Sequence, residues 1–214
     1  MTPQAFSYGH VGPNNMIYMP PYGLTECIDY MLKLNPTTYE ITQIPLKVDS
    51  SFEKWVVGIS VGHKIYILPY NESSVLVIDT IDDSVSYIKS DVTGKGKYSC
   101  AHLYNNKIYA LPFGIDCEID DVLIINTLDD SVSTVKLEIN PNNEKKWHTT
   151  QIINNTIYGM PRGELTNPHF PYRIEFNCDT LTYKLIDMSY LWAEIDAEGY
   201  ASAKYTTLAK YKNK

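Results

Sequence analysis

The stretch Lys64–Ser90, KIYILPYNESSVLVIDTIDDSVSYIKS, is written a second time at Lys107–Leu137 as KIYALPFGIDCEIDDVLIINTLDDSVSTVKL. Both read Ile-Tyr-x-x-Pro-aromatic, a polar loop, a short aliphatic run, an Asp or Asn, a polar turn, and an alternating strand. Thr156–Ile186 and Met16–Ile44 are looser copies. Aligned on Ile17, Ile65, Ile108 and Ile157, the copies are separated by 48, 43 and 49 residues. A unit of that length, repeated along a chain, determines the architecture before any single residue does.

Working outward, each copy has an aromatic residue upstream: Phe6, Trp55, Tyr98 and Trp147. A small residue follows three positions later, at Gly9, Gly58, Ala101 and Thr150. The junctions Asn14-Asn15, Gly62-His63, Asn105-Asn106 and Asn154-Asn155 separate two apolar segments. Asn and Gly tolerate positive φ, which tight hairpin turns need, so each copy is expected to open with a hairpin. Pro21, Pro69, Pro112 and Pro161 then end the second strand, because proline cannot donate a ladder hydrogen bond. A loop that differs between copies leads to a third strand, closed at Asn35, Asp79, Asn126 and Asn177 by side-chain turns. A fourth strand with period-two alternation completes the unit.

Four strands in a unit of roughly 40–50 residues predict an all-β fold, a β-propeller of four-stranded antiparallel blades. A single domain over residues 1–214 is expected, with repeats at about 6–46, 52–90, 97–139 and 146–187. The upstream strand would lie nearest the axis, where a small residue lets neighbouring blades converge. Tyr200-x-x-Ala203 repeats the aromatic-x-x-small signature, so an extra strand over about 199–207 is expected, with a helix over 193–211 as the alternative.

At these residues the chain resembles the kelch-like and YVTN-like propeller repeats. The likeness lies in NKIYALPF, in DVLIINTLDDSVSTVKL, and in the Ile-Tyr strand within a four-stranded unit. The Gly-Gly doublet of kelch repeats, the Trp-Asp dipeptide of WD repeats and the literal YVTN tetrapeptide are all absent. The resemblance implies a ring of blades, and such families usually close six to eight of them. Four blades closing on themselves, a five-bladed ring with one incomplete blade, and a ring completed by another chain are the three outcomes.

Bulk properties narrow the function. The 214 residues, 44% hydrophobic, suffice for one sizeable core. Tyrosine stands at 18, a residue that buries its ring while its hydroxyl reaches water or a partner. The net charge of −7, with no Lys or Arg block, argues against nucleic acid and anionic membranes as partners. Cys27, Cys100, Cys117 and Cys178 form no Cys-x-x-Cys pair and read as free thiols of a reducing compartment. The first residues lack the pattern of a signal peptide and no apolar run suits a membrane span, so a cytoplasmic location is expected. The sequons at Asn71 and Asn154 are then without consequence.

No catalytic motif emerges, and no cofactor is expected. GKGK at 94–97 lacks the spacing of a phosphate loop, and a nucleophile elbow is absent. His10, His63, His102, His148 and His169 do not pair at metal-ligand spacing. His10, Ile59, His102, Gln151 and Lys204 each follow the small residue of an inner strand, at one level of the ring. His10, His102 and Gln151 could therefore line a polar channel holding a water, an ion or a small ligand, or bond to neighbouring backbone instead, since alternation alone leaves their direction open. The loop 114–121 gathers Asp116, Glu118, Asp120 and Asp121 without the spacing of a Ca²⁺ hand. Pro168–Tyr172 (PHFPY), with Arg162 and Trp192, offers residue types that anchor binding surfaces, so Arg162, His169 and Tyr172 are surface candidates that could equally serve packing. The expected function is a non-catalytic module binding a protein partner through its loops, with homo-oligomerisation or ring completion by another chain possible. A lyase or hydrolase at the channel and a glycan-binding propeller are the alternatives.

Overall fold

The computed structural model describes residues 5–23, 28–48, 52–114, 119–139, 146–161 and 171–189. Among these residues, sixteen strands form four sheets, each a four-stranded antiparallel meander. The first holds β1 (His10–Val11), β2 (Ile17–Met19), β3 (Tyr30–Leu34) and β4 (Ile41–Pro45). The second holds β5 (Trp55–Val61), β6 (Lys64–Pro69), β7 (Ser74–Asp79) and β8 (Val85–Lys89). The third holds β9 (His102–Tyr104), β10 (Lys107–Ala110), β11 (Asp121–Asn126) and β12 (Ser131–Lys136). The fourth holds β13 (Thr149–Ile153), β14 (Thr156–Met160), β15 (Tyr172–Asn177) and β16 (Thr182–Asp187). These are four blades of a β-propeller, one for each sequence copy. The extra strand expected at 199–207 lies outside the described residues. None of the described helical residues forms a helix long and apolar enough to cross a membrane.

The turn chemistry is local. Asn105 and Asn106 both have positive φ (46° and 57°), the geometry of a two-residue hairpin whose twist matches its strands. Gly62 (56°) and Asn154 (54°) supply it at the first turn position of their hairpins. In the first copy the turn is one residue longer and Asn15 (60°) takes that role. At the end of each third strand the side-chain oxygen accepts from backbone two residues on: Asn35 from Thr37, Asp79 from Ile81, Asn126 from Leu128 and Asn177 from Asp179. Those bonds steer the chain back into the fourth strand.

Blade packs on blade through three apolar clusters. Each blade has a forward face, toward the next blade, and a backward face. Tyr18 and Met31 of the first blade meet Ile65, Ile67, Leu76 and Ile78 of the second. Tyr66, Leu68, Val75 and Val77 meet Ile108, Ala110, Leu123 and Ile125. Tyr109, Leu111, Val122 and Ile124 meet Trp147, Ile157, Ile174 and Phe176. Alternation places these sets on opposite sides of each sheet, so the middle blades are apolar on both faces. Each fully buried aliphatic side chain contributes about 1.5–3 kcal/mol as an upper estimate.

Polar pins fix the angle between blades. The Tyr18 hydroxyl donates to Asp83 at 2.7 Å, and the Tyr66 hydroxyl to Asp130 at 2.6 Å, each Asp lying in the next blade's outer turn. Lys33 and Lys64 reach the other oxygens of the same carboxylates at 2.5 Å. Tyr109 repeats the device on the Cys178 carbonyl at 3.1 Å.

The upstream aromatics hold each inner strand to its own blade. The Trp55 and Trp147 indole N–H groups donate to the Ser74 and Tyr172 carbonyls at 3.0 Å, and the Tyr98 hydroxyl to the Asp121 carbonyl at 3.1 Å. All three acceptors begin the third strand. Phe6, which has no polar atom to offer, instead packs its ring 5.8 Å from Tyr30, the first residue of β3.

Candidate binding site at the axial mouth

The four inner strands begin around one cavity of about 380 Å³. Its wall comes from every blade: Ser7 and Tyr8, Val56, Ser99 and Cys100, and His148 and Thr149. These occupy the two positions between the upstream aromatic and the small residue, which the copies do not share. Tyr22 and Tyr70, each following a strand-ending Pro, complete the rim. The mouth thus lies at the end of the propeller that carries the second-to-third strand loops and the connections between blades.

An arc of rings runs around it. Tyr22 and Tyr70 lie 6.1 Å apart, Tyr70 and Phe113 6.4 Å apart and nearly parallel, and Phe113 and His148 5.2 Å apart edge to face. Such separations suit offset and edge-on aromatic pairs. Tyr8 stands beside the arc at 71% exposure. The Tyr22 hydroxyl donates to Glu53 at 2.8 Å, and burial, reinforced by that carboxylate, raises its pKa well above the usual tyrosine range.

A backbone belt beneath the rings holds them. The Lys54 amide donates to the Tyr22 carbonyl (3.2 Å), Tyr70 to Lys54 (2.8 Å), Lys97 to Tyr70 (2.9 Å), Phe113 to Lys97 (2.8 Å) and Lys146 to Phe113 (2.8 Å). Every rim aromatic is thereby tied to the lysine that precedes an inner-strand aromatic. Those lysines are buried, with Lys54 and Lys146 at 0% exposure and Lys97 at 2%. Lys97 and Lys146 donate to the carbonyls of Gly94 (2.8 Å) and Ile119 (2.7 Å). Burial lowers the Lys97 pKa to about 8, against the opposing pull of Glu72. A Lys-aromatic dipeptide opens three of the four copies, at Lys54-Trp55, Lys97-Tyr98 and Lys146-Trp147, a signal that the strand pattern does not contain.

The sequence candidates fall elsewhere. His10, His102 and Gln151 pair directly with Tyr18, Tyr109 and Tyr158, so they share the forward faces of their blades. The His10 ring packs 3.0 Å from the position a Gly58 Cβ would occupy, and its Nε2 is buried without a hydrogen-bond partner in the structure. The His102 Nε2 lies 2.7 Å from the Thr150 hydroxyl. Burial lowers both histidine pKa values, opposed by bonding at Val56 and Thr150 respectively. The axial cavity is lined by none of the three. Tyr172 packs against the core between the third and fourth blades and gives its carbonyl to Trp147. Arg162 and His169 lie outside the described residues, as do Asp116 and Glu118 of the acidic loop, Cys27, Cys117 and Trp192. Asp120 is buried and lies 3.8 Å from the Lys136 amine.

The Cys100 thiol donates to the His148 carbonyl at 2.9 Å rather than to its imidazole. Burial raises the Cys100 pKa, although bonds at Thr150 and Ser99 oppose it, so the thiolate a nucleophile needs is disfavoured. Among the described residues, no three His, Cys, Asp or Glu side chains converge as metal ligands would.

No family model matches the chain, and no curated protein sequence matches it. Solved structures do. A hydrazine synthase chain of Kuenenia stuttgartiensis superposes with a TM-score of 0.60 at 11% identity, over 87% of this chain and 51% of that one. The WD40 domain of Neurospora crassa Pan2 gives 0.55 at 12% identity, over 86% and 52%. YjhT gives 0.52 at 12% identity, over 87% and 67%. The WD40 neighbour and the four meander sheets agree on a propeller. This chain spans about half the length of the first two neighbours.

Proposed function

We propose that the chain is a non-catalytic propeller module that binds a protein partner across the axial mouth. The exposed Tyr8 and the partly exposed Tyr22 and His148 around a cavity of about 380 Å³, backed by the buried rings of Tyr70 and Phe113, carry this reading. Tyrosine is a typical anchor residue of protein interfaces, giving large contact area at low entropic cost. A cavity of this size, with rings on its rim and hydroxyls in its wall, accepts one or two side chains from a partner loop. Among the described residues no carboxylate lines it, so an apolar or aromatic tip fits better than a cation. The rim is rigid, tied blade to blade by its backbone belt, and needs little ordering on binding.

The test is a peptide-display selection on the immobilised chain. Enriched peptides are expected to carry an aromatic or aliphatic anchor, and Tyr8→Ala should weaken them about 30-fold, the worth of a hot spot of ~2 kcal/mol. Tyr8 is exposed, so the melting temperature should not move. Ligands indifferent to Tyr8→Ala, or a glycan-array signal with no peptide ligand, would overturn the reading in favour of another surface or of sugar recognition.

A further inference from the structure

Among the described residues, the three packed junctions leave two blade faces without a mate. In the second, third and fourth blades the backward-face side chains Ile65, Leu76, Ile78, Ile108, Leu123 and Ile174 are fully buried. Their counterparts in the first blade, Ile17, Met19, Leu32 and Leu34, are only partly buried. The matching forward face is that of the fourth blade. There Arg173 and Glu175 replace the Val75 and Val77 of the second blade, and lie 2.9 Å apart. Among the described residues, the Tyr158 hydroxyl on this face has no hydrogen-bond partner, and neither has the buried Arg173 Nε.

The junctions already built show what each kind of face takes. Between the first and second blades, the forward face offers a cation two residues before the strand-ending Asx, at Lys33. The next blade offers an acceptor four residues after its own, at Asp83. Between the third and fourth blades the same two positions hold Ile124 and Leu181, both apolar. Relative to the first of these junctions, the polarity on the two unmated faces is reversed: the fourth blade carries Glu175 in the Lys33 position, and the first blade carries Tyr39 in the Asp83 position. Tyr39 has positive φ (61°), as Asp83 does (61°), and is 79% exposed. A phenol donor thus stands where an acceptor stood, and a carboxylate where a cation stood.

The geometry points to a second copy of this chain as the occupant: the fourth-blade forward face of one copy packs on the first-blade backward face of the other, Tyr39 donating to Glu175 of its partner. Two such contacts, related by a two-fold axis, close eight blades into a ring. The chain covers 52% of the WD40 neighbour, the proportion such a ring requires. A head-to-tail contact that closes is finite, so it yields a dimer and not a fibre. Each contact also gives Tyr158 and the Arg173 Nε a neighbouring blade from which to draw a partner. The ring sets the inner strands of both copies, and so both mouths, around one axis; sedimentation of the unliganded chain tests it apart from the partner-binding reading.

Sedimentation equilibrium of the full chain tests it. The expected mass is about twice the 24.4 kDa of one copy. Leu34→Lys and Glu175→Lys should each raise the dimer dissociation constant at least tenfold. Tyr39→Ala, at an exposed position that leaves the fold intact, should raise it several-fold. Mixing the Leu34→Lys and Glu175→Lys chains restores one intact junction, so a 1:1 dimer should form from two chains that are monomeric alone. A chain monomeric at every concentration overturns the proposal. So does a dimer insensitive to Glu175→Lys, which would mean first blade on first blade, and so does a mixture that stays monomeric.

Discussion

Tyr66→Phe removes one hydroxyl from the pin between the second and third blades and nothing else. The ring is 1% exposed, and its hydroxyl donates to Asp130 at 2.6 Å while Lys64 holds the other carboxylate oxygen at 2.5 Å. A hydrogen bond to a charged group contributes about 1.5–3 kcal/mol. The Asp130 side chain is a third exposed, so water recovers part of the loss and Lys64 keeps the charge partnered. A destabilisation of about 1–2 kcal/mol follows, seen in urea unfolding as a lower midpoint at unchanged slope. For a domain of this size that corresponds to a fall in Tm of roughly 2–8 °C. The effect depends on pH with a definite sign. Burial pushes the Asp130 carboxyl up, but the bonds from Lys64 and Tyr66 outweigh it and leave it below the ordinary 3.8. Its contribution is complete above that value and is lost as pH falls through the folded-state pKa, so wild type and Tyr66→Phe should converge in acid. A loss under about 0.5 kcal/mol at neutral pH would place the pin among ordinary surface pairs and refute its role in setting the blade angle.

Two further perturbations probe the packing and the buried lysines. A Cβ added at Gly159 would meet Ile174 Cγ2 at 2.8 Å and the Trp147 ring at 3.0 Å, so Gly159→Ala should cost about 1–3 kcal/mol in chemical denaturation. With its pKa lowered to about 8, Lys97 loses its proton in the folded state before the unfolded state does at 10.5. The unfolded chain then binds more protons, and stability should rise with pH from about 8 toward 10.5. Lys97→Met should flatten that rise relative to wild type, as measured by urea midpoints between pH 7.5 and 9.5.

The blades were legible because their signals are local. Asn105-Asn106, Pro69 and the Asx at Asp79 each dictate a turn or a stop within a few residues, and the structure places four strands around each set. The mouth was harder to read. Its walls are residue pairs such as Ser7-Tyr8 and His148-Thr149, separated by a whole blade in sequence and joined only by curvature about the axis. The direction of His10 and His102 could have been counted through the hairpins, since each stands opposite the Tyr of Ile-Tyr. Counting yields the face of the sheet, however, and not the neighbour waiting there, Gly58 in one case and Thr150 in the other. Lys54, Lys97 and Lys146 do not stand out in the sequence because lysine is normally a surface residue, and loop carbonyls brought close by the assembled blades accept from the buried amines of Lys97 and Lys146.

Hydroxyl-radical footprinting of the chain, free and bound to a selected partner, tests the account most directly. Partner docking across the mouth should protect Tyr8, Cys100 and His148 while leaving Ile81 and Leu128 unchanged, since these two stand 78% and 77% exposed on turns at the opposite end. Protection of Ile81 and Leu128 with Tyr8 still oxidised at its free rate would contradict it.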